Sequence, residues 1–166
     1  MDIRRKKFSK IYDQYINKIY RFIFLKVSSR EIAEDLSSEV FIRSWDRFKQ
    51  GGEIDNIQAF LYRVARKLVI DHYREKGRVR TISSEDIWVA DPNTNLEEKA
   101  EISSDLDEIR NALSGINEDY KEVIIWRYLD QLSVSEIAEI LEKSEGAVRV
   151  MIHRALNSLK EALDKG

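Results

Sequence analysis

The stretch from Leu132 to Lys160, Leu-Ser-Val-Ser-Glu-Ile-Ala-Glu-Ile-Leu-Glu-Lys-Ser-Glu-Gly-Ala-Val-Arg-Val-Met-Ile-His-Arg-Ala-Leu-Asn-Ser-Leu-Lys, restricts the possible folds more than any other part of the chain. Ser133 followed three residues later by Glu136 is a capping box, in which side chain and backbone satisfy each other's unpaired groups at a helix start. The helix it opens would bury Ile137, Ala138, Ile140 and Leu141. Ser144 is a suitable N-cap for a second helix only a few residues on. At about 100° per residue, Val148, Ile152, Ala155, Leu156 and Leu159 share one face of that helix. Arg149, Val150, His153, Arg154 and Asn157 fall opposite. Two short helices on a tight turn, the second with a basic, hydrogen-bonding outer face, describe a helix-turn-helix whose second helix fits a DNA major groove. An ordinary helical hairpin with a solvated charged face has the same local pattern, so the remainder of the chain must separate the two.

Several classes are disfavoured at once. No run of about 18 apolar residues occurs, so no membrane insertion is expected. The opening Met-Asp-Ile-Arg-Arg-Lys-Lys leads into an amphipathic segment rather than an apolar one, which argues against secretion and makes a cytoplasmic location the simplest expectation. With no cysteine, disulfides, thiolate metal sites and a cysteine nucleophile are out. His72 and His153 alone make a histidine metal site improbable, and neither a glycine-rich phosphate loop nor a Ser/His/Asp grouping stands out. Neither a catalytic site, a metal nor a cofactor is therefore expected.

A net charge of −2 looks wrong for a nucleic-acid binder until its distribution is read. Residues 1–30 carry nine basic side chains against two acidic, and residues 60–80 carry seven against two. Residues 81–108 invert this, with nine acidic side chains against Lys99 alone. A polyanion feels the local field, so the segregation matters more than the sum.

Along the chain, Phe8, Ile11, Tyr12, Tyr15, Ile19, Phe22 and Ile23 form one face of a helix over 8–26, with Lys10, Lys18 and Arg21 outside it. Ser28 with Glu31 is a second capping box, opening a helix to about Gln50 that Gly51-Gly52 stops. This helix has one stripe of Ile32, Leu36 and Val40 and another of Phe41, Trp45 and Phe48. Its third face, Asp35, Glu39, Ile42 and Asp46, is acidic with an apolar centre, and suits either solvent or a protein partner. Asp55 with Gln58 predicts a third helix from about Asn56 to Lys76, ended by Gly77, with Phe60, Leu61, Val64, Ala65, Leu68 and Val69 inside. Its outer face groups Arg63, Arg66, Lys67 and Arg74, flanked by Tyr62 and Tyr73. Cations that track phosphates beside rings that stack bases suit single-stranded DNA, although a solvated basic face has the same pattern. Residues 78–107 look like a linker around Pro92, with Ile87-Trp88-Val89 as an apolar island. Ser104 with Asp107 starts a further helix to about Gly115. Asn117 caps the next, with Tyr120, Val123, Ile124 and Tyr128 as its buried positions.

Three motifs in this order, Asp35-Leu-Ser-Ser-Glu-Val-Phe-Ile-Arg-Ser-Trp45, Ala59-Phe-Leu-Tyr-Arg-Val-Ala-Arg-Lys-Leu-Val-Ile-Asp71, and Leu132–Leu141 with Gly146–Ala155, resemble those of the bacterial extracytoplasmic-function sigma factors. The resemblance covers nearly the whole chain. It implies an all-α protein of two small helical domains joined by an acidic flexible linker: a region-2-like domain over 1–77, the linker over 78–103, and a region-4-like helix-turn-helix domain over 104–166. By the same resemblance, Asp35, Leu36, Glu39, Phe41, Ile42 and Trp45 would bind RNA polymerase core. Tyr62, Arg63, Arg66, Lys67, Tyr73 and Arg74 would open the minus-10 promoter element and hold its non-template strand. Ser144, Arg149, Val150, His153 and Arg154 would read the minus-35 element as duplex. A dedicated anti-sigma factor is a further partner the family implies. By the same resemblance the acidic linker would thread a polymerase path otherwise used by RNA; the mirrored charge blocks themselves suggest that it lies on the basic 60–80 helix in the free chain.

The chain departs from the family pattern at Lys67, where Asn is frequent, at Ala147 for Thr, and at Val150-Met151 for Ser-Arg, so the promoter sequence does not carry over. Val150 suits a thymine methyl rather than a phosphate. The competing reading is a stand-alone helix-turn-helix regulator that binds duplex operators as a dimer. That protein would have no use for the aromatic-basic helix over 56–76.

Overall fold

The computed structural model describes residues 3–51, 54–79 and 98–165, and among them every regular element is helical. In order these are α1 (Ile3–Val27), α2 (Arg30–Lys49), α3 (Ile57–Val79), α4 (Glu98–Leu113), α5 (Glu118–Ile124), α6 (Val134–Leu141) and α7 (Glu145–Lys165). Residues Ile125–Leu129 extend α5 as one π-helical turn. The expected linker over 78–103, with the Trp88 island and most of its acidic side chains, lies largely outside the described residues.

Local chemistry sets most helix starts. Ser29, not Ser28, caps α2, its hydroxyl accepting from the Ile32 N–H at 3.3 Å. Ser28 takes a left-handed φ of 59° and turns the chain, which moves the cap one residue on. Likewise Asn56 rather than Asp55 caps α3, its side-chain oxygen 3.1 Å from the Ala59 N–H. Gly77 does not end α3, which runs to Val79. An interior glycine costs a helix only about 1 kcal/mol relative to Ala, too little to stop it. α4 begins at Glu98, so Ser104 lies inside the helix instead of before it. Asn117 caps α5 as expected, accepting from Asp119 N–H at 2.9 Å. At Ser133 the capping box is complete: the Glu136 N–H reaches the Ser133 hydroxyl at 3.1 Å and the Ser133 N–H reaches the Glu136 carboxylate at 3.0 Å.

Two aromatic nuclei organise the packing. Between α1 and α2, the Phe8 ring meets Trp45 at 5.2 Å and Phe48 at 5.7 Å, and Tyr12 meets Phe41 edge-on at 4.9 Å. The second nucleus joins the two domains. The Trp126 indole stacks on Phe22 at 5.4 Å, and Tyr62 stands edge-on to both rings, 5.6 Å from Phe22 and 5.8 Å from Trp126. The π-helical turn places Trp126 there. Its wide loop, closed by the Asp130 N–H on the Ile125 carbonyl at 2.9 Å, inserts a residue into the helical register. Trp126 thereby becomes fully buried, and Tyr128, expected inside, is left 50% exposed.

Candidate nucleic-acid interface

The helix-turn-helix forms as its caps require. Ser133 opens α6, which buries Ile137, Ala138 and Ile140. Glu142 in a left-handed conformation makes the turn, and Ser144 accepts from the Ala147 N–H at 3.1 Å to start α7. Val148 and Ala155 anchor α7 inward. Leu156, expected on that inner face, is 38% exposed near its edge. Arg149, Val150, His153, Arg154 and Asn157 are all exposed. Arg149 has only an exposed contact with Glu145 at 3.8 Å, a pairing of little strength in water.

The basic face of α3 is differently situated. Tyr62 is fully buried, which corrects its expected position beside an open face: its ring completes the nucleus with Phe22 and Trp126, and its hydroxyl donates to Asp130. Burial first, and then the Asp130 charge, push that hydroxyl far above the usual phenol range, so it remains a donor. Arg66 donates through Nε to Glu122 at 2.9 Å and reaches Asp119 at 3.5 Å. Arg63 donates to the carbonyls of Glu139 and Ile140 at the end of α6, and lies 3.6 Å from Glu142. The Tyr73 hydroxyl donates to the Lys26 carbonyl, although its ring is 40% exposed. Lys67 and Arg74 are exposed.

Four charged residues that the sequence did not single out complete this contact. Arg21, expected on the outside of α1, pairs with Asp130, whose side chain is wholly buried. Lys26 is 4% exposed at its side chain and lies 3.1 Å from Glu122, itself 2% exposed. The one available signal for Glu122 was its place in the apolar run Tyr120-Lys-Glu-Val-Ile-Ile-Trp126, where a charge must find a buried partner.

On α2, Ile42 is 56% exposed between exposed Asp35 and Asp46, with half-buried Glu39 paired to Arg43 at 2.8 Å. Leu36 and Trp45 are half-buried, and Trp45 lines a shallow groove with Arg5, Phe8, Ser9 and Tyr12. Phe41 is a correction: only 4% exposed, it is wedged against Tyr12 and Phe8 and presents nothing to a partner. Tyr12, read as a core residue, is 42% exposed beside this face. Among the described residues no group of acidic or histidine side chains could hold a metal, and no helix is long and apolar enough to cross a membrane.

A helix-turn-helix with an open second helix, joined to a helical domain with a basic face, defines a two-domain DNA-binding protein. Residues 11–79 match the family model described as Sigma-70 region 2, and residues 106–159 match Sigma-70, region 4. Over 94% of its length the chain is 31% identical to the ECF RNA polymerase sigma factor SigW of Bacillus subtilis, covering 88% of that protein. It is also 31% identical over 94% of its length to the ECF RNA polymerase sigma factor BldN of Streptomyces coelicolor, of which it spans 60%. The chain belongs to the extracytoplasmic-function sigma factors. Its fold is that of the sigma factor RpoE crystallised with the anti-sigma factor NepR from Bartonella quintana, with a TM-score of 0.72 at 21% identity over 96% of this chain and 98% of that one. It is also that of CnrH in complex with the cytosolic domain of CnrY, with a TM-score of 0.73 at 18% identity over 97% and 90%.

Proposed function

We propose that the chain directs bacterial core RNA polymerase to promoters, with its two domains handling DNA in two different states. α7 reads the minus-35 element as duplex, through Arg149, His153 and Arg154 toward base edges and phosphates, Val150 toward a thymine methyl, and Ser144 at the helix start. α3 holds the separated minus-10 non-template strand once its face is uncovered, with Arg63, Arg66, Lys67 and Arg74 on phosphates and the Tyr62 and Tyr73 rings beside bases. α2 binds core polymerase through the exposed Ile42, ringed by Asp35 and Asp46 with Glu39, Leu36 and Trp45 at the margin. An anti-sigma factor is a further partner of this reading.

The observation that carries the proposal is the α7 surface. In a chain of this family, five side chains that suit groove contacts lie in one exposed row on the second helix of a helix-turn-helix. Copurification with bacterial core polymerase followed by run-off transcription from candidate promoters tests it. Capture by core and promoter-dependent transcripts are the expected result. A chain that ignores core polymerase yet grips duplex DNA as a symmetric dimer, seen in a mass measurement, overturns it.

A further inference from the structure

We propose that the first turns of α1 are a further DNA-contacting surface, one that holds the backbone of the promoter strand where it runs on past the start of α3. Five of the seven residues from Arg4 to Lys10 are basic (Arg4, Arg5, Lys6, Lys7 and Lys10), and all five are exposed. α1 and α2 are antiparallel, since Phe8 meets Phe48 at 5.7 Å while Tyr12 meets Phe41 at 4.9 Å, so the start of α1 stands beside the end of α2. There Arg4 donates to the Lys49 carbonyl at 3.1 Å and lies over Gly51, where a Cβ would come within 3.2 Å of the guanidinium. α1 and α3 run in the same general direction: Phe22 meets Tyr62 at 5.6 Å, and the Lys26 carbonyl accepts from Tyr73. At about 1.5 Å per residue, α1 extends about 28 Å back from Phe22 and α3 only about 8 Å back from Tyr62. The basic turns therefore project beyond the start of α3.

Stability of the helix itself gives no reason for this cluster. Cations in a first turn oppose the helix dipole, and the first turn of α1 has no acidic side chain. Lys6 with Lys10, and Lys7 with both Arg4 and Lys10, are like charges three or four residues apart, which repel. Among the described residues no ion pair relieves Arg5, Lys6, Lys7 or Lys10. Arg47 and Lys49 add two more exposed cations at the end of α2, Lys49 with only an exposed contact to Asp46 at 3.3 Å. A polyanion answers all of this at once, because each phosphate replaces a repulsion by an attraction and releases counterions. DNA is the polyanion that the neighbouring helix selects. The inference rests on the strand-binding reading of α3: a strand that lies along that helix and continues past its first turn meets the basic end of α1 next. Lysine and arginine on backbone phosphates position a strand without reading it, so the contact is independent of sequence.

The test uses the full chain with core polymerase on a promoter that it transcribes. Lys6→Gln/Lys7→Gln/Lys10→Gln removes three exposed charges and leaves Arg4 in place on α2. The slope of log affinity against log salt should become shallower by about 2–3, since each phosphate contact contributes about 0.7–0.9. Capture by core polymerase, binding of an isolated minus-35 duplex and the unfolding midpoint should match the parent. Lys6→Arg/Lys7→Arg/Lys10→Arg, which keeps the charge, should keep the parental slope. An unchanged slope in the glutamine variant overturns the inference and leaves the promoter reading intact, and so does an equal loss in both variants, which would mark an effect of fold rather than charge. Lys67→Gln/Arg74→Gln reports separately on α3: a parental slope there beside a flattened one in the α1 variant removes the strand path on which the inference rests. Loss of binding to phosphatidylglycerol vesicles in the α1 variant, at an unchanged promoter slope, would assign the surface to a membrane instead. A second measurement removes a single charge. A photoreactive group on Lys6→Cys, unique in a chain without cysteine, should crosslink to promoter DNA outside both recognition elements, and no crosslink there overturns the inference.

Discussion

α3 and α7 look alike as sequences: each is amphipathic, and each sets basic side chains in a polar row opposite an apolar face. In the folded chain they are opposites. Two cations of α3, Arg63 and Arg66, are met by Glu122, Asp119 and the α6 carbonyls, and its Tyr62 is enclosed, whereas the α7 row is exposed along its length. A basic helix face therefore records a capacity to hold anions without saying which anion it holds. α3 has found intramolecular ones. α7 has found none on another element: Val148 and Ala155 pack into its own domain, and the outer row has only the exposed contact of Arg149 with Glu145 of the same helix.

The strongest way to break this contrast is to remove the indole on which the covered helix rests. Trp126→Ala should destabilise the chain by about 3–5 kcal/mol in urea denaturation, the usual cost of deleting a fully buried large aromatic side chain. A loss below about 1 kcal/mol would mean that the two domains are not held through this nucleus. The open helix calls for the complementary experiment. Arg149→Ala should leave denaturation unchanged and weaken binding to a minus-35 duplex by about 1–3 kcal/mol if it contacts a base. An unaltered promoter profile would remove Arg149 from the reading set. A third exposed surface sharpens the comparison further: Ile42→Lys should reduce core-polymerase capture by about 2 kcal/mol without a change in unfolding midpoint, since Ile42 is 56% exposed. Ser133→Ala, which removes the N-cap of α6, should cost about 1 kcal/mol in the same denaturation assay.

The smallest effect is a pH dependence. The Ser133 backbone N–H, and then the Gln58 side chain, hold the Glu136 carboxyl below its usual range. Its stabilisation is therefore complete above the ordinary carboxylate value and is lost as pH falls through the lowered one. Between neutral pH and about pH 3 the parent should lose slightly more thermal stability than Glu136→Gln, and parallel melting curves would show that the carboxylate contributes nothing.

Much of this organisation is legible in the sequence. The Ser133–Glu136 box, the Ser144 cap, the Asn117 cap and the exposed row on α7 all follow from interactions that reach three or four residues along the chain. Such signals survive in almost any context. The one-residue displacements at Ser29 and Asn56 are errors of the same local kind, arising where two adjacent residues could each cap and the turn geometry chose. The fates of Phe41 and Tyr62 are different. Helical periodicity places both at the margin of an apolar stripe, and nothing nearby in sequence indicates which side of that margin they occupy.

The chain's order of residues was enough to dictate helices, their starts, the helix-turn-helix and the opposed charge blocks, because each depends on neighbours within a turn or two. Which basic face is covered depended on distant partners. Tyr62 meets Asp130 across 68 positions and Arg66 meets Glu122 across 56, and a π-helical turn had to shift the register before Trp126 and Asp130 could enter the contact. Desolvation of a charge is tolerated only where an opposite charge arrives from elsewhere in the fold, so that choice belongs to packing in three dimensions.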